Sequence, residues 1–169
     1  MRTGHEALIE RIIPIKDKLF RYALQIVKDR MVAEDVVQEV LVKVWKKKSE
    51  LEAIENLEAW TMTVTRNLSL DKLRRKKKPL ESVDDHYDLA DKGMSPLTVV
   101  QSDDTMAIIH KAINQLPDAQ QQIIHLREVE GYSYQEIADI TGFKIEKVKV
   151  YLHRARITLR SKLSKIYAA

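Results

Sequence analysis

Residues 133–160, SYQEIADITGFKIEKVKVYLHRARITLR, constrain the fold of this chain more than any other segment. They predict two short helices joined at Gly142, where the chain reverses with a backbone conformation that glycine adopts most easily. Ser133 is a suitable N-cap for the first helix, and the second begins near Ile145. The segment therefore has the plan of a helix-turn-helix that reads DNA.

The second of these helices separates apolar from basic residues around its axis. At about 100° per residue, one side carries Ile145, Val148, Leu152, Ala155 and Leu159, and the other carries Lys147, Val150, Tyr151 and Arg154. Residues 142–165 contain many Lys and Arg but a single acid, Glu146. This excess favours a polyanionic partner, because neutralised phosphates release counterions. The alternative is an amphipathic helical hairpin whose cations only face water.

Composition indicates the fold class. Hydrophobic residues make up 44% of the 169 residues, and only four Gly and four Pro interrupt a sequence rich in helix formers. We therefore expect an all-α protein. The chain has no cysteine, no apolar run of about 18 residues and no export signal, which predicts a cytoplasmic protein without membrane insertion. Its scattered histidines predict no metal site, and we expect no cofactor and no catalytic residues.

The order of helices and charge runs predicts two small helical domains joined by an acidic, flexible linker. Residues 5–78 contain three predicted helices, over residues 6–28, residues 32–47, and from the N-cap Asn56 to about residue 76. Residues 79–102 form the linker, whose roughly 24 residues would reach about 80 Å when extended. Residues 103–167 form a bundle of about four helices ending in the helix-turn-helix. The linker either stays in solvent or occupies a basic channel of a partner.

Two predicted helices of the first domain have side chains that packing of a small core does not by itself explain. The second has an apolar face two stripes wide, which either is all core or partly meets another protein. The members of that face are Val32, Val36, Val37, Val40, Leu41, Val44 and Trp45. The third places Trp60 beside Asn67, Asp71 and Arg74, a combination suited to unstacked bases and backbone. Trp60 also suits the core, which leaves Asn67 and Arg74 as the better candidates for DNA contacts.

Taken together, these segments resemble bacterial sigma factors of the sigma-70 family, specifically the short extracytoplasmic-function (ECF) type. Residues 19–45, LFRYALQIVKDRMVAEDVVQEVLVKVW, are similar to the start of conserved region 2. Residues 59–78, AWTMTVTRNLSLDKLRRKKK, are similar to the segment that melts and reads the minus-ten element. Residues 116–156 resemble region 4, which reads the minus-thirty-five element. The resemblance covers nearly the whole chain and implies region 2, linker and region 4 in that order.

The resemblance also implies partners and site residues. Core RNA polymerase would be bound through its clamp helices and flap, with the clamp contacted by Asp35, Gln38, Glu39 and Leu41. Minus-ten DNA would be met by Trp60, Asn67, Asp71, Arg74 and Arg75, with the loop of residues 49–56 helping to hold a flipped base. The minus-thirty-five DNA would be approached by Ser133, Tyr134, Lys147, Lys149, Val150, Tyr151, His153 and Arg154. The linker would thread the RNA-exit path of polymerase.

Regulation by an anti-sigma factor, often membrane-anchored, is a further implication of the resemblance. Two residues depart from the family pattern. Lys144 stands where a Ser or Pro commonly caps the recognition helix, and Tyr151 stands where Arg is common, which puts the helix start and the base preference in question.

Three rival functions fit the sequence less well. A stand-alone helix-turn-helix regulator that binds DNA as a dimer leaves the apolar second helix and the acidic linker unexplained. An RNA-binding protein is favoured only by overall basicity. An enzyme is opposed by the lack of any nucleophile or general-base pattern.

Overall fold

The computed structural model describes residues 3–77 and 104–168, and every regular element within them is a helix. The first group comprises α1 (Gly4–Ile12), a 3₁₀ turn (Ile13–Ile15), α2 (Lys16–Val27), α3 (Arg30–Lys46), α4 (Lys48–Leu51) and α5 (Leu57–Lys77). The second comprises α6 (Asp104–Asn114), α7 (Asp118–Ile124), a π-helical turn (His125–Val129), α8 (Tyr134–Thr141) and α9 (Ile145–Tyr167). The all-α prediction is confirmed, whereas the predicted linker lies outside the described residues.

The prediction of one continuous helix over residues 6–28 is wrong. Pro14 lies in the 3₁₀ turn that separates α1 from α2. Proline has no backbone N–H to donate, and its ring crowds the preceding turn, so the helix cannot run through it undisturbed. Helix α2 then ends at Lys28, whose φ of 59° is left-handed and whose N–H donates to the Leu24 carbonyl at 2.9 Å.

The other helices of the first group begin at capping side chains. Asp29 caps α3 by accepting from the Val32 N–H at 3.2 Å, and Asn56 caps α5 by accepting from the Ala59 N–H at 3.0 Å. The Asn56 cap confirms the prediction, whereas Asp29 and the short α4 were not predicted. Helices α2, α3 and α5 pack against one another around a core that includes Leu19 and Val36.

The helix-turn-helix is formed as the sequence predicts. Ser133 accepts from the Glu136 N–H at 3.1 Å, and the Glu136 carboxylate accepts from the Ser133 N–H at 3.1 Å, which completes a capping box. Gly142 has a φ of 75°, so the reversal between α8 and α9 uses the left-handed conformation expected of it. Helix α9 buries Val148, Leu152 and Ala155 against α7 and α8.

The two groups of helices pack directly on each other. Helix α5 lies against α8 and α2 lies against α7, so buried residues of both groups join one core. The division into domains at residues 78 and 103 stays a prediction. Within the described residues, no helix is long and apolar enough to span a membrane.

Candidate nucleic-acid and polymerase interfaces

Helix α3 presents a polar strip between two shallow grooves. Asp35 and Gln38 are exposed, while Glu39 and Leu41 are half-buried. Gln38 and Asp35 line a groove of about 470 Å³, and Gln38 and Leu41 line a second groove of about 360 Å³ that lies towards α2. Lys72 of α5 donates to the Glu39 carboxylate at 2.8 Å and holds it at the rim of the first groove. The structure therefore brings all four predicted polymerase-contacting residues onto one accessible surface.

The wide apolar face of α3 is divided between core and surface. Its inner stripe is buried, with Val36, Val37, Val40 and Val44 at most 5% exposed. Trp45 remains 51% exposed, and so does Val42, at 52%, although Val42 is not a member of the predicted apolar face. Core packing thus accounts for most of this face, and a smaller apolar surface is left beside the polar strip.

Helix α5 exposes the polar side that the sequence assigned to minus-ten DNA. Asn67, Asp71, Arg74 and Arg75 are all exposed, and Arg74 donates to the Asp71 carboxylate at 2.8 Å. Trp60 is half-buried, and its buried part packs against the core, so the side chain contributes to the fold and is only partly available at the surface. The helix continues in Lys76 and Lys77, which concentrates positive charge at its C-terminal end.

Three of the four hydroxyl groups of α5 are hydrogen-bonded inside the helix, and the fourth, on the buried Ser69, has no partner among the described residues. Thr61, Thr63 and Thr65 each donate to the carbonyl four residues earlier, at distances between 2.8 and 3.0 Å. These back-bonds satisfy the hydroxyls without a partner molecule. The predicted DNA contacts of α5 are therefore left to its exposed amide, carboxylate and guanidinium groups.

Helix α9 exposes most of the residues predicted to face the minus-thirty-five groove. The exposed members are Lys147, Lys149, Val150, His153 and Arg154, together with Ser133 at the start of α8. Tyr151 and Tyr134 are half-buried. The Tyr151 ring meets Phe143 edge-on, with ring centroids 6.3 Å apart, and the Lys147 ammonium lies 5.1 Å from the Tyr151 centroid. Tyr151 consequently orients a neighbouring cation at the surface.

Lys144 does not act as a side-chain cap for α9. Its backbone is extended, with φ −62° and ψ 146°, and its carbonyl accepts from the Val148 N–H at 3.0 Å. The helix therefore starts at Ile145, where the sequence places it, although no side chain caps its first turn. This departure from the family pattern removes a cap without shifting the start of the helix.

A buried polar contact between the two groups was not predicted from sequence. The Gln122 side-chain oxygen accepts from the Tyr22 hydroxyl at 3.1 Å and from Arg66 Nε at 2.9 Å. Gln121 accepts from Gln25 at 3.1 Å and from Lys28 at 2.8 Å. Burial raises the pKa of Tyr22, so its hydroxyl remains a donor to Gln122. Two adjacent glutamines thus join α7 to α2 and α5.

Two carboxylates complete this contact. The side chain of Glu130 is 1% exposed and accepts two hydrogen bonds from Arg21, at 2.8 and 2.9 Å. Burial alone would raise the pKa of Glu130, but Arg21 and the nearby His125 outweigh it and lower the pKa to about 2. Burial likewise opposes ionisation of Glu58, yet hydrogen bonds from Lys18 and Tyr132 lower its pKa below the usual value.

Residues 3–77 and 104–168 contain no group of three or more His, Asp or Glu placed to hold a metal ion.

Comparison with known proteins matches both groups of helices to family models. Residues 14–78 match "Sigma-70 region 2", and residues 106–159 match "Sigma-70, region 4". The RNA polymerase sigma factor SigV of Bacillus subtilis is 30% identical over 164 residues, covering 97% of this chain and 95% of the relative. The ECF RNA polymerase sigma factor SigX of the same organism is 29% identical over 147 residues, covering 84% of this chain and 76% of the relative.

A solved structure has the same arrangement over most of its length. The sigma factor RpoE of Bartonella quintana, in complex with the anti-sigma factor NepR, aligns with a TM-score of 0.71 and 28% identity. The alignment covers 94% of this chain and 98% of that chain.

Proposed function

Since this chain belongs to the sigma-70 family of RNA polymerase sigma factors, in its ECF group, we propose that it reads promoters through two separate helices. Helix α5 captures bases of the minus-ten element, and α9 enters the major groove at the minus-thirty-five element. Core polymerase is held by the polar strip of α3, formed by Asp35, Gln38, Glu39 and Leu41. The observation that carries this proposal is the pair of exposed basic helix faces, one in each group, within a sigma-70 chain.

The α9 face suits duplex DNA. An α-helix fits the major groove, where Lys and Arg meet phosphates or guanine edges. Arg154 and Lys149 are exposed on this face, and Ser133 opens α8 with a capped first turn that can approach a phosphate. The buried side of α9 keeps the helix fixed while its outer side binds.

The α5 face suits DNA that has been opened. Base edges become accessible only after unpairing, and their capture offsets an unstacking cost of a few kcal/mol. The Asn67 amide can both donate to and accept from a base edge, and the Asp71 carboxylate steadies Arg74 beside it. Arg75, Lys76 and Lys77 supply backbone attraction at the end of the helix.

The packed arrangement of the two groups of helices is too small to contact both promoter elements at the same time. Positions minus ten and minus thirty-five lie about 25 base pairs apart, or about 85 Å at 3.4 Å per base pair. A compact chain of this length has a radius of gyration of about 15 Å. We therefore propose that the polar contact around Gln122 and Glu130 opens when polymerase and promoter are engaged, and that the sequence-predicted linker spans the resulting gap.

An anti-sigma factor is a second proposed partner. The similar RpoE structure was solved with one, and the exposed strip of α3 offers a surface that such a protein can cover. Action on polymerase and promoter DNA places the protein in the cytoplasm.

Run-off transcription with purified core polymerase tests the proposed function. We expect specific transcripts from a subset of a genomic promoter pool only when the protein is added. Loss of those transcripts in an Asp35→Arg variant that still folds would support the α3 contact. If no template yields a protein-dependent transcript, the proposed function is wrong.

A further inference from the structure

Helix α1 lies against the segment between α3 and α5, which consists of α4 and the loop after it. Both ends of α1 contact this segment. At its C-terminal end, Arg11 Nη2 donates to the Ile54 carbonyl at 2.7 Å. At its first turn, the Glu52 carboxylate lies against Gly4, where an added Cβ would meet it. A carboxylate at a helix N-terminus is favoured by the helix dipole.

A third contact lies between these two. His5 Nε2 is 3.1 Å from Lys48 Nζ, and the His5 ring lies 5.2 Å from the Trp45 ring. The Lys48 ammonium in turn sits 4.5 Å from the centroid of Trp45. Contacts of α1 thus reach the end of α3, the start of α4 and the loop after α4.

The loop has little regular structure to fix its shape. Leu51, the last residue of the four-residue α4, is buried, while Glu52, Ala53, Glu55 and Asn56 after it are exposed. Ile54 N–H donates to the Leu51 carbonyl at 3.1 Å, and the Ile54 carbonyl accepts from Arg11. The position of the exposed residues therefore depends on contacts with a neighbouring element, and α1 supplies them.

We propose that α1 positions this loop for base recognition and that Arg11 is the positioning residue. The inference rests on the proposed capture of minus-ten bases and on the sequence-based prediction that the loop of residues 49–56 holds a flipped base. Residues 49–51 of that range belong to α4, so that part of the loop prediction is wrong and the loop itself is residues 52–56. Arg11 itself does not contact DNA. Its guanidinium fixes the Ile54 carbonyl, and a base pocket needs its walls fixed before the base arrives.

Holoenzyme binding to single-stranded minus-ten oligonucleotides tests this role. The probes carry each of the four bases, or an abasic unit, at every position of a promoter that passes the run-off test. Arg11→Met keeps the aliphatic stem but removes the donor, whereas Arg11→Lys retains one. Arg156→Met is the control, because it removes an exposed, ion-paired arginine from α9 in the other group of helices.

We expect the wild-type holoenzyme to bind its preferred base about tenfold more tightly than the abasic unit at the position that the loop reads. Arg11→Met should reduce this ratio below about threefold without changing affinity for the abasic probe, and Arg11→Lys should restore most of it. An unchanged ratio in Arg11→Met, or an equal loss on every probe, would overturn the assignment. A wild-type holoenzyme indifferent to the base at all positions would instead contradict minus-ten reading itself.

Hydrogen exchange gives a readout that needs no DNA. In the full chain, amides of residues 52–56 should exchange about tenfold faster in Arg11→Met, while those of α9 should not change. If the loop amides of Arg11→Met exchange as slowly as those of the wild-type protein, Arg11 does not hold the loop in place.

Discussion

Replacing Glu130 by Gln tests how strongly the two groups of helices are joined. Glu130 follows the π-helical turn of the second group and accepts two hydrogen bonds from Arg21 of α2. Its side chain is 1% exposed, and His125 Nε2 lies 3.3 Å from the carboxylate. The substitution preserves shape but removes the charge, so Arg21 loses a charge-assisted bidentate partner.

The magnitude follows from the pKa of Glu130. Lowering the pKa from 4.5 to about 2 corresponds to about 3 kcal/mol, at about 1.4 kcal/mol per tenfold change. Arg21 is 42% exposed, so water screens the pair, and we reduce the expected contribution to about 2 kcal/mol. For a chain of this size, that is a fall in Tm of about 4–8 °C.

The sign of the pH dependence follows from the same values. Because the folded-state pKa lies below the unfolded-state pKa, the contribution of Glu130 is fully present above pH 4.5. It is lost as the pH falls from 4.5 towards 2. Wild-type and Glu130→Gln proteins should therefore differ by about 2 kcal/mol at pH 7 and converge in acid.

Urea unfolding of both proteins at pH 7 and at pH 3 measures these differences. Glu128→Gln is the matched control, since Glu128 is 50% exposed and pairs with Arg156 on the surface. We expect it to change stability by no more than about 0.5 kcal/mol. Equal effects of the two substitutions at pH 7, or a Glu130→Gln difference as large at pH 3 as at pH 7, would refute the reasoning.

The other predictions concern the DNA-binding helices and their caps. Asn67→Ala should slow promoter opening about tenfold while leaving holoenzyme binding to duplex nearly unchanged; equal losses in permanganate footprinting and duplex binding would contradict its role. Arg154→Ala should weaken binding of a minus-thirty-five duplex about tenfold in fluorescence anisotropy, and unchanged affinity would remove it from the groove. Ser133→Ala should lower the unfolding free energy by about 1 kcal/mol by removing the α8 capping box. Gly142→Ala should lower it by about 1–2 kcal/mol, because φ is 75° and nothing lies within 4 Å of the added Cβ to compensate.

Sequence patterns predicted the elements whose signals are local. Ser133 and Gly142 marked the ends of α8, Asn56 marked the start of α5, and the apolar period of α9 identified Val148, Leu152 and Ala155 as core. The break at Pro14 was also a local signal, and weighing its missing N–H would have divided the first helix correctly. The exposure of Asn67, Arg74 and Arg154 agrees with their predicted positions, although their DNA contacts stay predictions.

Contacts between distant segments could not be read in the same way. Gln121 and Gln122 have the same chemistry in a solvent-facing helix as in a buried contact, and Arg11 gives no sign in sequence of the carbonyl 43 residues away that it binds. Such pairings depend on which faces pack, and packing is set by the whole core.

The sequence by itself determined that this chain is helical, that it carries a basic helix-turn-helix, and which family it resembles. Hydrophobic periodicity, capping residues and charge runs each involve only residues close in sequence, so they can be recognised without knowing the fold. Only the tertiary structure decided that α5 packs on α8, that Glu130 is buried against Arg21, and that α1 holds the loop after α4. These features arise because burying apolar surface brings distant polar groups together, and each buried group then has to find a partner.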